Sequence, residues 1–253
     1  MKPRWESGPK SLVLVRHGES RGNQADDAAR SAGAEVLDLK ERDADVELSD
    51  TGREQAHALG SWIAELDAES RPTVVLASPY RRAADTASLA LEALADAGLQ
   101  VVYDERLRER DFGALDRLTG AGIRARHPEE AARRKHVGKF YYQPPSGESW
   151  ANVAQRARSL LTDLRHGFDG ERVWLFTHQA VIMTFRYILE EIEEADLLAL
   201  DREVRIGNAS VTTYRREGAF LELESFADTT ALDRSPAEST HEAPQAERTD
   251  HGH

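Results

Sequence analysis

The 253-residue chain contains no cysteine, which excludes disulfides, Cys-ligated zinc and iron–sulfur clusters and removes thiolates from the available nucleophiles. Covalent chemistry, if there is any, must come from His, Ser, Thr, Lys or a carboxylate. No apolar run approaches the ~20 residues needed to cross a bilayer. Residues 1–10 lack the apolar stretch of a secretory signal, so the expected location is the cytoplasm, with no membrane partner. Positive charge is in deficit, with 33 Lys and Arg against 45 Asp and Glu and a formal net charge of −12. That balance argues against nucleic acid as a partner, because backbone binding needs a positive surface. Residues 228–253 contain no aromatic side chain and are rich in Asp, Glu, Ser, Thr, Pro and Ala. They read as a disordered acidic tail, with His241, His251 and His253 solvated.

What remains, residues 10–227, is long enough for a sizeable core and reads as one domain. Short β-rich runs at 11–15, 73–77, 100–103, 173–177, 210–214 and 220–226 alternate with helical patterns. Over 52–66 the chain places Ala56, Leu59, Ile63 and Leu66 on one helix face, and over 152–165 it does the same with Val153, Ala157, Leu160, Leu161 and Leu164. Thr51 followed by Glu54 suggests a capping box for the first of these helices. Strands alternating with helices predict a three-layer α/β/α domain with a central, mostly parallel sheet. Two long polar segments, 23–47 and 112–149, break the alternation and read as functional loops, the second as an irregular cap. Its Phe140-Tyr141-Tyr142-Gln143-Pro144-Pro145 run either walls a pocket or packs an irregular subdomain. The tail is expected to be dispensable, so that removing residues after Ala227 leaves any activity intact.

The strand at 12–15 ends on Arg16-His17-Gly18-Glu19-Ser20, and ligands of open α/β sheets sit at such carboxyl ends. Arg16 offers a cationic fork for phosphoryl oxygens, and Gly18 admits a close backbone approach. The strand at 73–77 leads into Ser78-Pro79-Tyr80-Arg81-Arg82-Ala83, and the strand at 173–176 into Thr177-His178-Gln179-Ala180. If these strands are neighbours, Arg16, His17, Arg82 and His178 converge on one site. Such a cluster suits phosphoryl transfer, with His17 as nucleophile and the arginines neutralising charge. A leaving alkoxide needs an acid, and Glu109, in Leu107-Arg108-Glu109-Arg110-Asp111-Phe112-Gly113, is the leading candidate, with Asp111 and Glu105 as competitors. Its bland alternative is a surface ion pair with the flanking arginines.

Taken together and in order, Arg16-His17-Gly18-Glu19, Ser78 through Thr86 with Arg82-Ala83, Leu-Arg-Glu109-Arg-Asp-Phe-Gly and His178 resemble the histidine phosphatase, or phosphoglycerate mutase-like, superfamily. The resemblance spans most of 12–214 and includes Leu48-Ser49-Asp50-Thr51-Gly52-Arg53-Glu54-Gln55-Ala56, which is similar to a structural helix start of the family. It implies that His17 forms a phosphohistidine and that Glu109 protonates the leaving group and then activates water. Arg16, Arg82 and His178 would bind phosphate, with Asn23, Ser20 and Gln179 as further substrate contacts. The family spacing of Arg followed by Ala selects Arg82 over Arg81. No cofactor and no metal are implied, and the expected partner is a small phosphomonoester. Gln179 stands where many members have Gly. The mutases of the family carry Glu-Arg-His-Tyr-Gly and a later Lys; here Phe112 and Gly120 take the corresponding places, and Arg133-Arg134 only partly matches their paired arginines. The resemblance therefore favours a phosphatase, with a 2,3-bisphosphoglycerate-dependent mutase as the alternative and a non-catalytic phospho-ligand sensor as a third reading.

Overall fold

The structure, a computed structural model, describes residues 3–94, 98–233 and 238–241. Its sheet contains six strands, β1 (Ser11–Arg16), β2 (Val74–Ala77), β3 (Val101–Tyr103), β4 (Arg172–Thr177), β5 (Val211–Glu217) and β6 (Phe220–Asp228), in the order β3-β2-β4-β1-β5-β6. The first four are mutually parallel, while β5 runs antiparallel to β1 and β6 antiparallel to β5, closing one side of the sheet. All six lie where the apolar runs predict them.

Both faces of the sheet are covered, and the pleat assigns alternate residues to each. Leu12, Leu14, Val173 and Leu175 pack with helices α6 (Trp150–Gly167), α7 (Gln179–Leu189) and α8 (Glu194–Glu203). Val13, Val15, Trp174 and Phe176 pack with α2 (Asp50–Glu65) and α3 (Arg81–Glu92). This is the expected three-layer α/β/α arrangement.

Several local expectations need correction. The N-cap of α2 is Ser49, whose hydroxyl accepts from Gly52 N at 3.0 Å, and not Thr51, because the helix starts at Asp50. Segment 23–47 is not loop throughout: α1 (Arg21–Ala32) begins at a capping box between Ser20 and Asn23 and ends on Gly33 in the left-handed region. Cap 112–149 holds two helices, α4 (Gly120–Arg126) and α5 (Pro128–Val137), the second with no buried residue. In its aromatic run Phe140 and Tyr142 are buried and serve packing, and Tyr141 is exposed.

The globular part also extends past both expected ends. Trp5 is buried in the α6 side of the core and its backbone N–H donates to Ala219 O. Residues 230–233 form a short helix, α9, whose Leu232 packs against Ala58 and Ala209, so the tail is not disordered from Asp228 onward. Residues 238–241 are hydrogen-bonded to the body of the domain. Apolar Ala231 and Leu232 have enough surface to hold this turn down; His251 and His253 lie outside the described residues.

Candidate active site

Strand register sets the site. Arg16 lies opposite Thr177 across β1 and β4, and Ala77 lies opposite Phe176 across β2 and β4, so three neighbouring strands end at one level. The next peptides continue the ladder, with His17 N donating to Thr177 O at 3.0 Å and Ser78 N donating to Phe176 O at 2.9 Å. His17, Ser78 and His178 are thereby brought together, and Arg82 joins them from the first turn of α3. None of these side chains is more than 5% exposed.

The His17 ring has a defined proton position. Its Nδ1 lies 2.7 Å from Gly18 O, which only accepts, so Nδ1 carries the hydrogen. Nε2 then presents its lone pair and accepts from Arg82 Nε at 3.3 Å. Burial, reinforced by the charges of Arg82 and Arg16, holds the His17 pKa well below 6.5, so the ring is neutral near neutral pH. His178, with its ring centroid 5.1 Å from that of His17, is held neutral by the same burial. Its Nε2 is 2.9 Å from Ser78 Oγ, while its Nδ1 is buried with no hydrogen-bond partner among the described residues.

The loop after β1 is fixed by close backbone contacts. A Cβ on Gly52 would stand 1.9 Å from Glu19 O, and one on Gly18 would stand 2.5 Å from Gly52 O, so this crossing admits only glycine. One turn into α2, Gln55 Oε1 accepts from Glu19 N at 2.8 Å. On the other side Asn208 Nδ2 donates to His17 O at 3.1 Å. Gln55 sits in a stretch recognised from sequence as structural; Asn208 carries no signal of its own, being 191 residues away from His17.

A cavity of about 580 Å³ opens in front of His17. Ser20, Asn23, Arg82, Glu109 and Gln179 line it, together with Arg110, Phe112 and Trp150. Asp111 and Glu105 do not line it, which separates Glu109 from its competitors. Arg16, next to His17 in the chain, and His178, in ring contact with it, are both buried, and Arg16 Nη1 donates to Ile206 O. Ser20 and Asn23 bond to each other, since Ser20 Oγ donates to Asn23 Oδ1 at 2.9 Å. Gln179 Nε2 reaches Asp201 Oδ1 at 3.4 Å, and Asp201 in turn holds the buried Lys139 at 2.8 Å.

The segment bearing Glu109 is anchored at Leu107, whose carbonyl accepts from Thr177 Oγ1 at 2.7 Å. Arg108 pairs with Glu148 at 2.7 Å, and Arg156 donates both to Glu148 Oε1 at 3.1 Å and to Glu109 O at 3.3 Å. Arg108 thus pairs with Glu148, while the Glu109 carboxylate accepts from Arg110 N at 2.8 Å. Arg110 is buried, its guanidinium 4.3 Å from the Phe112 ring centroid, and desolvation pushes its pKa down to about 10.

Arg82 is already engaged on its outer side. Nη1 donates to Asp43 O at 2.6 Å and lies 3.0 Å from Asp43 Oδ1, and Nη2 donates to Asp43 Oδ2 at 3.2 Å. Asp43 comes from a single 3-10 turn between α1 and α2, and no motif in the sequence marks it. Among the described residues, no group of three or more His, Cys, Asp or Glu side chains is arranged to hold a metal ion. No helix among them is long and apolar enough to cross a membrane.

Comparison with known proteins agrees with this geometry. A 2,3-bisphosphoglycerate-dependent phosphoglycerate mutase of Methylorubrum populi is 29% identical over 192 residues, covering 75% of this chain and 84% of the mutase. The bifunctional protein Rv2228c of Mycobacterium tuberculosis is 32% identical over 192 residues, 74% of this chain, although the match spans only 47% of that protein. Among solved structures, the mycobacterial glucosyl-3-phosphoglycerate phosphatase Rv2419c with inorganic phosphate superposes with a TM-score of 0.68 at 28% identity, covering 88% of this chain and 99% of that one. Residues 12–229 match the family described as histidine phosphatase superfamily (branch 1), and the chain accordingly belongs to that superfamily of enzymes acting on phosphate esters.

Proposed function

We propose that the chain hydrolyses a phosphomonoester in two steps through a phosphohistidine on His17. In the first, Nε2 attacks phosphorus, the P–O bond to the ester oxygen breaks, and the departing oxygen takes a proton from Glu109. In the second, Glu109 takes a proton from water, whose oxygen attacks phosphorus and releases inorganic phosphate and free His17. The observation that carries this reading is the His17 ring itself: its proton is committed to Gly18 O, so the lone pair of Nε2 faces Arg82 on the wall of a cavity that also contains Glu109.

Arg16 and Arg82 neutralise the phosphoryl oxygens in this scheme. Ser78 Oγ accepts from Tyr80 N at 3.1 Å and lies 2.9 Å from His178 Nε2, and in this scheme it gives its hydroxyl proton to that nitrogen. The neutral His178 ring then carries its own proton on Nδ1, ready for a phosphoryl oxygen. Asn23, helped by Ser20, also contacts the phosphoryl group, and Gln179 contacts the substrate. The size of the cavity suits an organic group much larger than phosphate itself. Hydrolysis is favoured over mutase chemistry because Phe112 presents a ring without a hydroxyl, stacked on Arg110, where the mutases use Tyr.

The test is hydrolysis of p-nitrophenyl phosphate with EDTA present, comparing the wild type with His17→Ala. Wild-type turnover with an acid-labile, base-stable phosphoenzyme, and neither in His17→Ala, is the expected result. A wild type inert toward phosphate esters but able to interconvert 2- and 3-phosphoglycerate would establish the mutase instead.

A further inference from the structure

We propose that Thr240 is a positioning residue for the nucleophile: it locks the two buried amides, Gln55 and Asn208, that hold the backbone on either side of Gly18. The proposal rests on the reading of His17 as the nucleophile.

Four hydrogen bonds form a continuous chain. Glu19 N donates to Gln55 Oε1 at 2.8 Å, and Gln55 Nε2 donates to Thr240 Oγ1 at 2.8 Å. Thr240 Oγ1 donates to Asn208 Oδ1 at 3.2 Å, and Asn208 Nδ2 donates to His17 O at 3.1 Å. Thr240 is itself held in place, because Asn208 N donates to Thr240 O at 2.9 Å, and Gln55 Nε2 also reaches Glu238 O at 2.7 Å. Gln55 and Asn208 are both fully buried, whereas Thr240 is half-buried.

The direction of each bond matters. A side-chain amide rotated by half a turn sets its NH₂ where its oxygen was, and a backbone N–H cannot bond to an NH₂. Glu238 O, which only accepts, sets Gln55 Nε2 on this side and Oε1 toward Glu19 N. The Thr240 hydroxyl accepts from that Nε2, must therefore donate to Asn208 Oδ1, and so passes the direction on to Asn208, whose nitrogen faces His17 O. Because the peptide between Gly18 and Glu19 is planar, pinning Glu19 N also pins Gly18 O. That carbonyl is the group 2.7 Å from His17 Nδ1 which keeps the proton there and leaves Nε2 free to attack. His17 O has a second tether in Ala209 N at 3.2 Å and Gln55 Nε2 a second acceptor in Glu238 O, so Thr240 acts by joining the two amides into one unit that holds the backbone on both sides of Gly18. This reverses the expectation that everything after Ala227 is dispensable.

The experiment compares full-length wild type with Thr240→Val and Thr240→Ser. Valine keeps the shape and loses the hydroxyl; serine restores it. With p-nitrophenyl phosphate, Thr240→Val is expected to lower kcat about tenfold, with KM and melting temperature unchanged and kcat recovered in Thr240→Ser. Imidazole nitrogen NMR gives a readout independent of turnover: His17 should be protonated on Nδ1 in the wild type and in Thr240→Ser, and a mixture of tautomers in Thr240→Val. A Thr240→Val protein with wild-type kcat and an unchanged tautomer overturns the proposal. So does a loss of kcat that tracks a lower melting temperature and is not recovered by serine. A tautomer shift in a chain that hydrolyses no phosphate ester supports the positioning role and sinks the hydrolase reading alone.

Discussion

The two sides of the cavity are built by different physics. On the nucleophile side, His17, Ser78 and His178 follow directly from the ends of β1, β2 and β4, and the peptides leading to them bond across the sheet. On the side of the proposed acid, Glu109 is half-buried on an irregular segment whose own Arg108 pairs with Glu148 of the cap and whose carbonyl at Glu109 accepts from Arg156 of α6. Backbone ladders leave little freedom, whereas long ionic side chains allow adjustment at modest cost. In the proposed mechanism the difference suits the chemistry: the phosphoryl group is common to all phosphomonoesters and would be met by the rigid half, while the leaving group varies and would be met by the adaptable one.

The sharpest way to separate the halves is through the leaving group. Loss of His17 should end the turnover of every ester, but Glu109→Gln should lower turnover of alkyl phosphates by about 10²–10⁴-fold and that of p-nitrophenyl phosphate far less, since nitrophenolate needs no proton. Equal losses on both substrates would place the acid elsewhere. A smaller effect tests the contact between the halves. Asp43 holds Arg82 by its carboxylate and its carbonyl, and a substrate phosphate has to displace the carboxylate. With the Asp43 side chain 39% exposed, such a pair is worth about 1 kcal/mol. Asp43→Ala should thus lower KM, and the inhibition constant of inorganic phosphate, by about fivefold. A raised KM would make Asp43 a substrate contact.

The smallest effect concerns pH and belongs to the rigid half. His17 and His178 are buried neutral with pKa values pushed well below 6.5 by desolvation. Below pH 6.5 the unfolded chain takes up protons that the folded one refuses, so stability is fully present above 6.5 and declines as pH falls toward the lowered folded values. Melting temperature is expected to drop between pH 7.5 and 5.5, and to drop less in His178→Gln. An identical slope in that variant would mean that His178 is not buried as a neutral ring.

Much of this was legible in the sequence. The strands announced themselves as apolar runs, and the motifs at Arg16-His17, Arg82 and His178 sit at the strand ends that parallel pairing aligns. Where the signal failed, a cause is visible. Helix α1 buries only Asn23 and Ala29, and α5 buries nothing, so neither has an apolar stripe to read. The start of α2 was misplaced because Ser49 and Thr51 are both good caps, and only the close passage of Gly52 against Glu19 selects the first. The stretch after Asp228 lacks Phe, Tyr and Trp, yet Ala231 and Leu232 tie residues 230–233 to the body and the Thr240 hydroxyl ties residues 238–241.

Sequence alone determined the layer architecture and the residue types at three strand ends, because hydrophobic period and motif order are local properties that survive without coordinates. It did not determine which nitrogen of His17 bears the proton, that Arg82 is clasped by Asp43, or that Thr240 joins Gln55 to Asn208. The first rests on a bond to the adjacent Gly18 and the other two on bonds between residues 32 to 185 positions apart, and in each case donor and acceptor acquire direction only when the packed backbone brings them within about 3 Å of each other.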